Sequence, residues 1–210
     1  MSLDKEELAR LVAGDIPPGA YVNLGIGQPT TIARFLEPES CVVLHTENGM
    51  LGMGDVVPAD EADWDLTNAG KQPVTELPGA AYFHHADSFA MMRGGHLDVC
   101  VMGAFQVSAA GDLANWHTGA PDAIPAVGGA MDLAVGAKEV WVMMTLFTKQ
   151  GQAKLVPECT YPLTGKACVT RVYTELATFH LGPSGVQVAQ TFGITFDELA
   201  SRLDVPLSKV

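Results

Sequence analysis

The chain has 210 residues, is 48% hydrophobic and 17% charged, and carries 12 Lys+Arg against 24 Asp+Glu, a formal charge of −12. That length and apolar share suit a single domain over 1–210 and exclude a disordered chain, while an acidic chain without a Lys/Arg cluster argues against nucleic acid and anionic membrane as partners. The longest apolar stretch, Val140 to Phe147, is far short of the roughly 20 residues that cross a bilayer, and residues 1–7 hold no apolar signal core, so the expected location is cytoplasmic.

In chain order, Leu8, Leu11, Val12 and Ile16 recur at helical spacing, which predicts a surface-docked helix from Asp4 to Ile16, stopped by Pro17-Pro18-Gly19. An apolar run Tyr21 to Leu24, a glycine turn Gly25-Ile26-Gly27, a helix-like Pro29 to Leu36 and a second run Cys41 to His45 follow, ending at Thr46-Glu47-Asn48-Gly49. This is strand, loop, helix, strand, turn. Further on, His84 to Arg93 looks helical, Val99 to Val107 strand-like, Gly129 to Val135 helical, and Val140 to Leu146 an almost wholly apolar strand. Continuous apolar strands suit a parallel sheet covered on both faces. The tail alternates from Val169 to Leu181, turns at Gly182-Pro183-Ser184-Gly185, and runs from Val186 to Phe192 before a last helix that Thr195 can cap. The expected fold is α/β, an open and mostly parallel sheet covered by helices, with a C-terminal β-hairpin and a closing helix. Charged content below the usual ~25% leaves part of the surface for a partner. The four cysteines form no C-x-x-C pair, and no disulfide framework is expected.

Ligands of open α/β sheets collect at the carboxyl ends of strands, and three loops stand where apolar runs stop or begin. The first, Asn23 to Pro29, begins G-x-G with Glu47 twenty-two positions beyond Gly25 (47 − 25), a partial dinucleotide fingerprint compatible with a nicotinamide-dependent oxidoreductase. Its third glycine position is Thr30. The second, Thr46 to Gly54, places Glu47 at a strand end among glycines. A carboxylate there can attack an acyl carbon, given backbone N–H donors for the oxyanion; the plainer alternative is a solvated glutamate opening an Asn-Gly turn. The third, Pro125 to Asp132, offers the amides of Gly128-Gly129 at a helix start, as an anion site or simply as a tight turn. His84, His85 and His96 lack zinc spacing, so no metal site is expected.

Several blocks in order resemble the B (β) subunits of family I CoA-transferases: Val22-Asn23-Leu24-Gly25-Ile26-Gly27-Gln28-Pro29, Thr46-Glu47-Asn48-Gly49, Asp112-Leu113-Ala114-Asn115-Trp116, and Gly128-Gly129-Ala130-Met131-Asp132-Leu133. The resemblance implies the CoA-transferase fold, Glu47 as nucleophile, backbone amides near Gly25, Gly27, Gly128 and Gly129 at the oxyanion, and Asn23, Asn48 and Gly49 as supports of the loops. It also implies a hetero-oligomer with a separate A (α) subunit, and a coenzyme A thioester as substrate, with no prosthetic group. The segments Tyr82 to Phe89 and Asn115 to Gly119 look most like the 3-oxoadipate branch, which uses succinyl-CoA, with acetoacetate-type transferases as the alternative. His84, His85, Arg93 and His117 are the candidates to meet a second substrate carboxylate.

Overall fold

Residues 1–120 and 126–210 are described by a computed structural model. The chain runs α1 (Lys5–Asp15), β1 (Tyr21–Leu24), a 3-10 helix (Gln28–Phe35), a 3-10 turn (Pro38–Ser40), β2 (Val43–Thr46), β3 (Met50–Val56), β4 (Val74–Tyr82) and α2 (His85–Arg93). It continues through β5 (Val99–Met102), β6 (Gln106–Ser108), β7 (Leu113–Ala114), α3 (Ala130–Gly136), β8 (Glu139–Met143) and β9 (Leu155–Val156). The tail is β10 (Val169–Tyr173), β11 (Ala177–Gly182), β12 (Gly185–Thr191), α4 (Phe196–Ser201) and β13 (Leu207–Lys209).

Ten strands form one sheet in the order β13-β12-β11-β10-β8-β5-β1-β2-β3-β4. Its centre, from β2 to β10, is parallel throughout. Antiparallel pairs extend it at both ends, β3 and β4 beyond β2 and the β11–β12 hairpin beyond β10, and β13 returns parallel to β12. The expected α/β architecture and C-terminal hairpin are both present. A second, small sheet has the order β7-β6-β9.

Apolar strands at the centre divide their side chains between two cores, because successive residues point to opposite faces. Val99, Val101, Trp141 and Met143 join α1 and the 3-10 helix on one side, whereas Cys100, Met102, Val140 and Val142 join α2, α3 and α4 on the other. Every residue of β5 is buried, which explains its unbroken apolar sequence. The helix α1 begins in a capping box: Asp4 Oδ1 accepts from the amides of Glu6 and Glu7, and Glu7 Oε2 accepts from the Asp4 amide, all at 2.8 Å. It buries Leu8, Ala9, Val12 and Ala13. Thr195 and Glu198 form the same device at α4.

Three expectations are corrected. The segment 28–35 is a 3-10 helix, not an α-helix. Pro29 contributes no N–H, and the hydroxyls of Thr30 and Thr31 donate to the carbonyls three residues back, Gly27 O at 2.8 Å and Gln28 O at 2.7 Å, which favours the tighter turn. The run 99–107 is two strands in two sheets, parted at Gly103. The alternating stretch 169–181 folds back on itself as β10 and β11, with Thr174 Oγ1 donating to Ala177 O at 2.7 Å in the bend.

Candidate active site

The carboxyl ends of β1, β2, β5 and β8 open into a cavity of about 520 Å³, lined among others by Leu24, Gly25, Glu47, Gly103 and Met144. One end of the small sheet contributes another part of its wall, where Phe105, Asn115, Trp116 and Lys154 also line it. This is the strand-end placement expected of a ligand site in an open α/β sheet.

Glu47 follows the last residue of β2 directly and stands half-buried in the turn that leads to β3. Asn48 makes that turn fast by donating Nδ2–H to Thr67 O at 2.7 Å. Gly49 is required twice over: its φ is +122°, and a Cβ would run into the Phe83 carbonyl. Its amide donates to Thr46 O at 3.1 Å and its carbonyl accepts from Phe83 N at 3.0 Å. The Asn-Gly dipeptide is therefore a structural device that aims the glutamate.

Beneath the turn lies a buried polar chain. Asn23 Nδ2 can only donate, so at 3.1 Å from His45 Nδ1 it fixes that nitrogen as an acceptor. The ring proton of the neutral imidazole then sits on Nε2 and donates to Ser88 Oγ at 3.0 Å, and Ser88 donates to Thr46 O at 3.3 Å. Burial pushes the His45 pKa down to about 4, so the ring is neutral throughout the physiological range. Ser88 is on α2, and the chain thus ties the peptide just before Glu47 to a helix 42 residues away in sequence. His45 and Ser88 belong to no motif. A histidine closing the apolar run from Cys41 is the available signal, because a buried polar group must find partners.

The Glu47 carboxylate faces Gly129, so closely that a Cβ on Gly129 would overlap Oε2. Gly128 and Gly129 both line the cavity, and neither amide donates to an acceptor among the described residues. Burial raises the Glu47 pKa above its ordinary value; His85 opposes that rise and Asp132 adds to it. Arg93 is paired with Asp132.

The remaining candidates divide. Gly25 lines the cavity, and its amide donates to Val101 O at 2.8 Å. Asn23 lines it with its amide committed to His45. Gly27 is exposed, with a φ of +95°, and is not part of the lining. His84 caps α2, its Nδ1 accepting from Ala86 N at 3.1 Å. His85 packs edge-on against Phe89, with ring centroids 4.8 Å apart. His117 accepts from Gly119 N at 2.8 Å. None of His84, His85, Arg93 and His117 lines the cavity. Pro125, the first residue of the third loop, lies outside the described residues. The dinucleotide alternative fails on geometry, since Gly25-Ile26-Gly27 opens a 3-10 helix with Pro29 in its first turn and offers no α-helix N-terminus to a pyrophosphate. Among the described residues no cluster of His, Cys, Asp and Glu could hold a metal ion, and no helix is long and apolar enough to cross a membrane.

The B subunit of the 3-oxoadipate CoA-transferase of Pseudomonas putida is 62% identical over 208 residues, covering 99% of this chain and 97% of that protein. The B subunit of the succinyl-CoA:3-ketoacid coenzyme A transferase of Helicobacter pylori is 41% identical over 201 residues, covering 95% and 96%. The crystal structure of an acyl-CoA transferase apoenzyme from Escherichia coli superposes with a TM-score of 0.77 at 19% identity, over 100% of this chain and 43% of that one, a likeness of fold. The profile of the coenzyme A transferase family matches residues 5–191, a span that takes in the Glu47 turn, the Gly128-Gly129 loop and all the strands whose ends form the cavity, and this chain belongs to that family.

Proposed function

We propose that the chain is the β subunit of a cytoplasmic two-subunit enzyme that moves CoA from succinyl-CoA to 3-oxoadipate, in the β-ketoadipate route of aromatic catabolism, with Glu47 as the covalent carrier. The observation that carries the mechanism is the placement of Glu47: among the described lining residues it is the only carboxylate, and it stands against Gly129 of the Gly128-Gly129 pair that lines the same cavity. The substrate pair is supported by the Pseudomonas putida relative, which is 62% identical across nearly the whole of both chains.

A Glu47 oxygen attacks the thioester carbonyl of succinyl-CoA, the C–S bond breaks, and CoA thiolate leaves a mixed glutamyl–succinyl anhydride. The thiolate then attacks the glutamyl carbonyl and expels succinate, leaving a glutamyl-CoA thioester. 3-Oxoadipate enters and the same steps run in reverse, restoring the Glu47 carboxylate and releasing 3-oxoadipyl-CoA. Thioester is exchanged for thioester, with no net proton change, and no prosthetic group takes part. Each tetrahedral intermediate carries an oxyanion, for which the amides of Gly128 and Gly129, in the cavity lining and without acceptors among the described residues, are the candidate donors. Both covalent species hydrolyse in water, so the cavity must be covered during turnover. Ile26 and Phe105 line it yet stand 66% and 41% exposed, an apolar rim suited to the α subunit.

The test is intact and peptide mass spectrometry of the chain, co-expressed with its α subunit, after succinyl-CoA is added without acceptor. A CoA adduct on the peptide carrying Glu47, or its alcohol after borohydride, is the expected result. Consumption of succinyl-CoA without an adduct would replace transfer by hydrolysis.

A further inference from the structure

Among its described lining residues the cavity has one cation to match its one carboxylate. Among the described lining residues Lys154 is the only lysine or arginine. Its main chain is clamped: the amide donates to Leu146 O at 2.9 Å, just past β8, and the carbonyl accepts from Val107 N at 2.9 Å in β6. The amide of Phe105 donates to Ala114 O at 2.9 Å, so Phe105, Asn115 and Lys154 gather at the same end of the small sheet.

The other polar groups of this wall are used up by the protein. Asn115 donates to Gly103 O at 3.2 Å and accepts from Thr164 Oγ1 at 2.6 Å, and Trp116 Nε1 donates to Leu163 O at 3.3 Å. Lys154 differs. It is half-buried, and among the described residues no carboxylate lies within ion-pair distance of its ammonium. Burial lowers its pKa, with Glu175 at longer range opposing. A partly desolvated ammonium with no direct counter-ion gains most from an anion that arrives in the cavity.

We propose that Lys154 receives the carboxylate remote from the reacting acyl group of a dicarboxylic substrate. This rests on Glu47 being the site of acyl transfer. In a double-displacement reaction succinate leaves before 3-oxoadipate enters, so one subsite serves both acids. Their remote carboxylates lie two carbons apart in reach, and a lysine suits that difference: its charge is compact and rides on a flexible four-carbon stem, whereas an arginine fork would favour one length. His84, Arg93 and His117 are committed to partners outside the cavity.

The test compares Lys154→Met and Lys154→Arg in the assembled enzyme, with 3-oxoadipate and with 3-oxohexanoate, the same chain lacking the remote carboxylate. Loss of a charge-assisted hydrogen bond should lower kcat/KM of Lys154→Met for 3-oxoadipate on the order of 10- to 100-fold. Its kcat/KM for 3-oxohexanoate should stay within about twofold of the unaltered enzyme, because that acid places no charge at the lysine. Lys154→Arg should recover part of the lost preference. Equal losses on both acceptors would make Lys154 a structural or CoA-contacting residue and overturn the assignment, as would no loss on either. Adduct formation in the unaltered enzyme, measured alongside, separates the two claims: no CoA on Glu47 overturns the covalent mechanism and the assignment together, whereas an adduct with unchanged acceptor preference overturns the lysine alone.

Discussion

Gly129→Ala separates the position of the Glu47 carboxylate, the proposed nucleophile, from the stability of the fold. Gly129 has a φ of −81°, which any residue adopts, so alanine brings no backbone strain. Its Cβ would, however, overlap Glu47 Oε2 and come within 3.2 Å of Phe89 Cζ. The carboxylate is the end of a flexible side chain and yields first, by about 1 Å, a displacement that costs on the order of 100-fold in rate when it moves a reacting group. The stability cost is confined to replacing glycine by alanine at the start of α3, about 1 kcal/mol or less. The expected result is therefore a fall of about two orders of magnitude in the single-turnover rate of glutamyl-CoA formation. The thermal unfolding midpoint should move by about 4 °C or less for a chain of this size. An unchanged rate would mean that the carboxylate works from another rotamer; a large fall in both quantities would mean that Gly129 is needed for folding, and either result refutes the assignment of the close approach to catalysis.

Ser88→Ala leaves the His45 Nε2–H without its acceptor and Thr46 O without one of its donors. A buried unsatisfied group costs about 1–3 kcal/mol, so the unfolding midpoint should fall by about 2–12 °C, and an unchanged midpoint in differential scanning calorimetry would remove the polar chain from the stability of the turn. On the proposed mechanism Glu47 must be ionised to attack, so the acid limb of the kcat/KM profile should report its carboxyl. Burial places that limb above the range of an ordinary glutamate; His85→Gln, which removes the opposing influence, should move it to higher pH, and Asp132→Asn to lower pH. Shifts of the same sign in both variants would show that neither side chain sets the field at Glu47.

What the sequence makes legible follows from the range of the interactions involved. The capping boxes at Asp4 and Thr195 and the turn at Gly182 to Gly185 are local, and each is found where its residues stand. β5 and β8 are legible because burial on both faces leaves no polar position to interrupt the run. β3 and β4 are not: the side chains of β4 from Thr75 to Gly79 are exposed, so no apolar alternation marks it, and its partner is fixed by pairing across the 57–73 loop. Thr46-Glu47-Asn48-Gly49 and Gly128-Gly129 are found by looking where strands end and glycines begin. That the two meet is a tertiary fact. So is the separation of Arg93 and His117 from the cavity, because side chains close in sequence to a site acquire partners of their own as the chain packs.

The polar chain under Glu47 also bears on the order in which the site is built. Thr46 O is held by Ser88, 42 residues downstream, and Asn115 by Thr164, 49 residues further along the chain than itself. Contacts of such long span close late, because the loop entropy must be met before the contact rewards it. A nascent chain that has already emitted Glu47 and its Asn-Gly turn still lacks the helix that anchors them. The Glu47 carboxylate is thus set in place only when the strands around it have paired, and an unfinished chain does not carry it aimed.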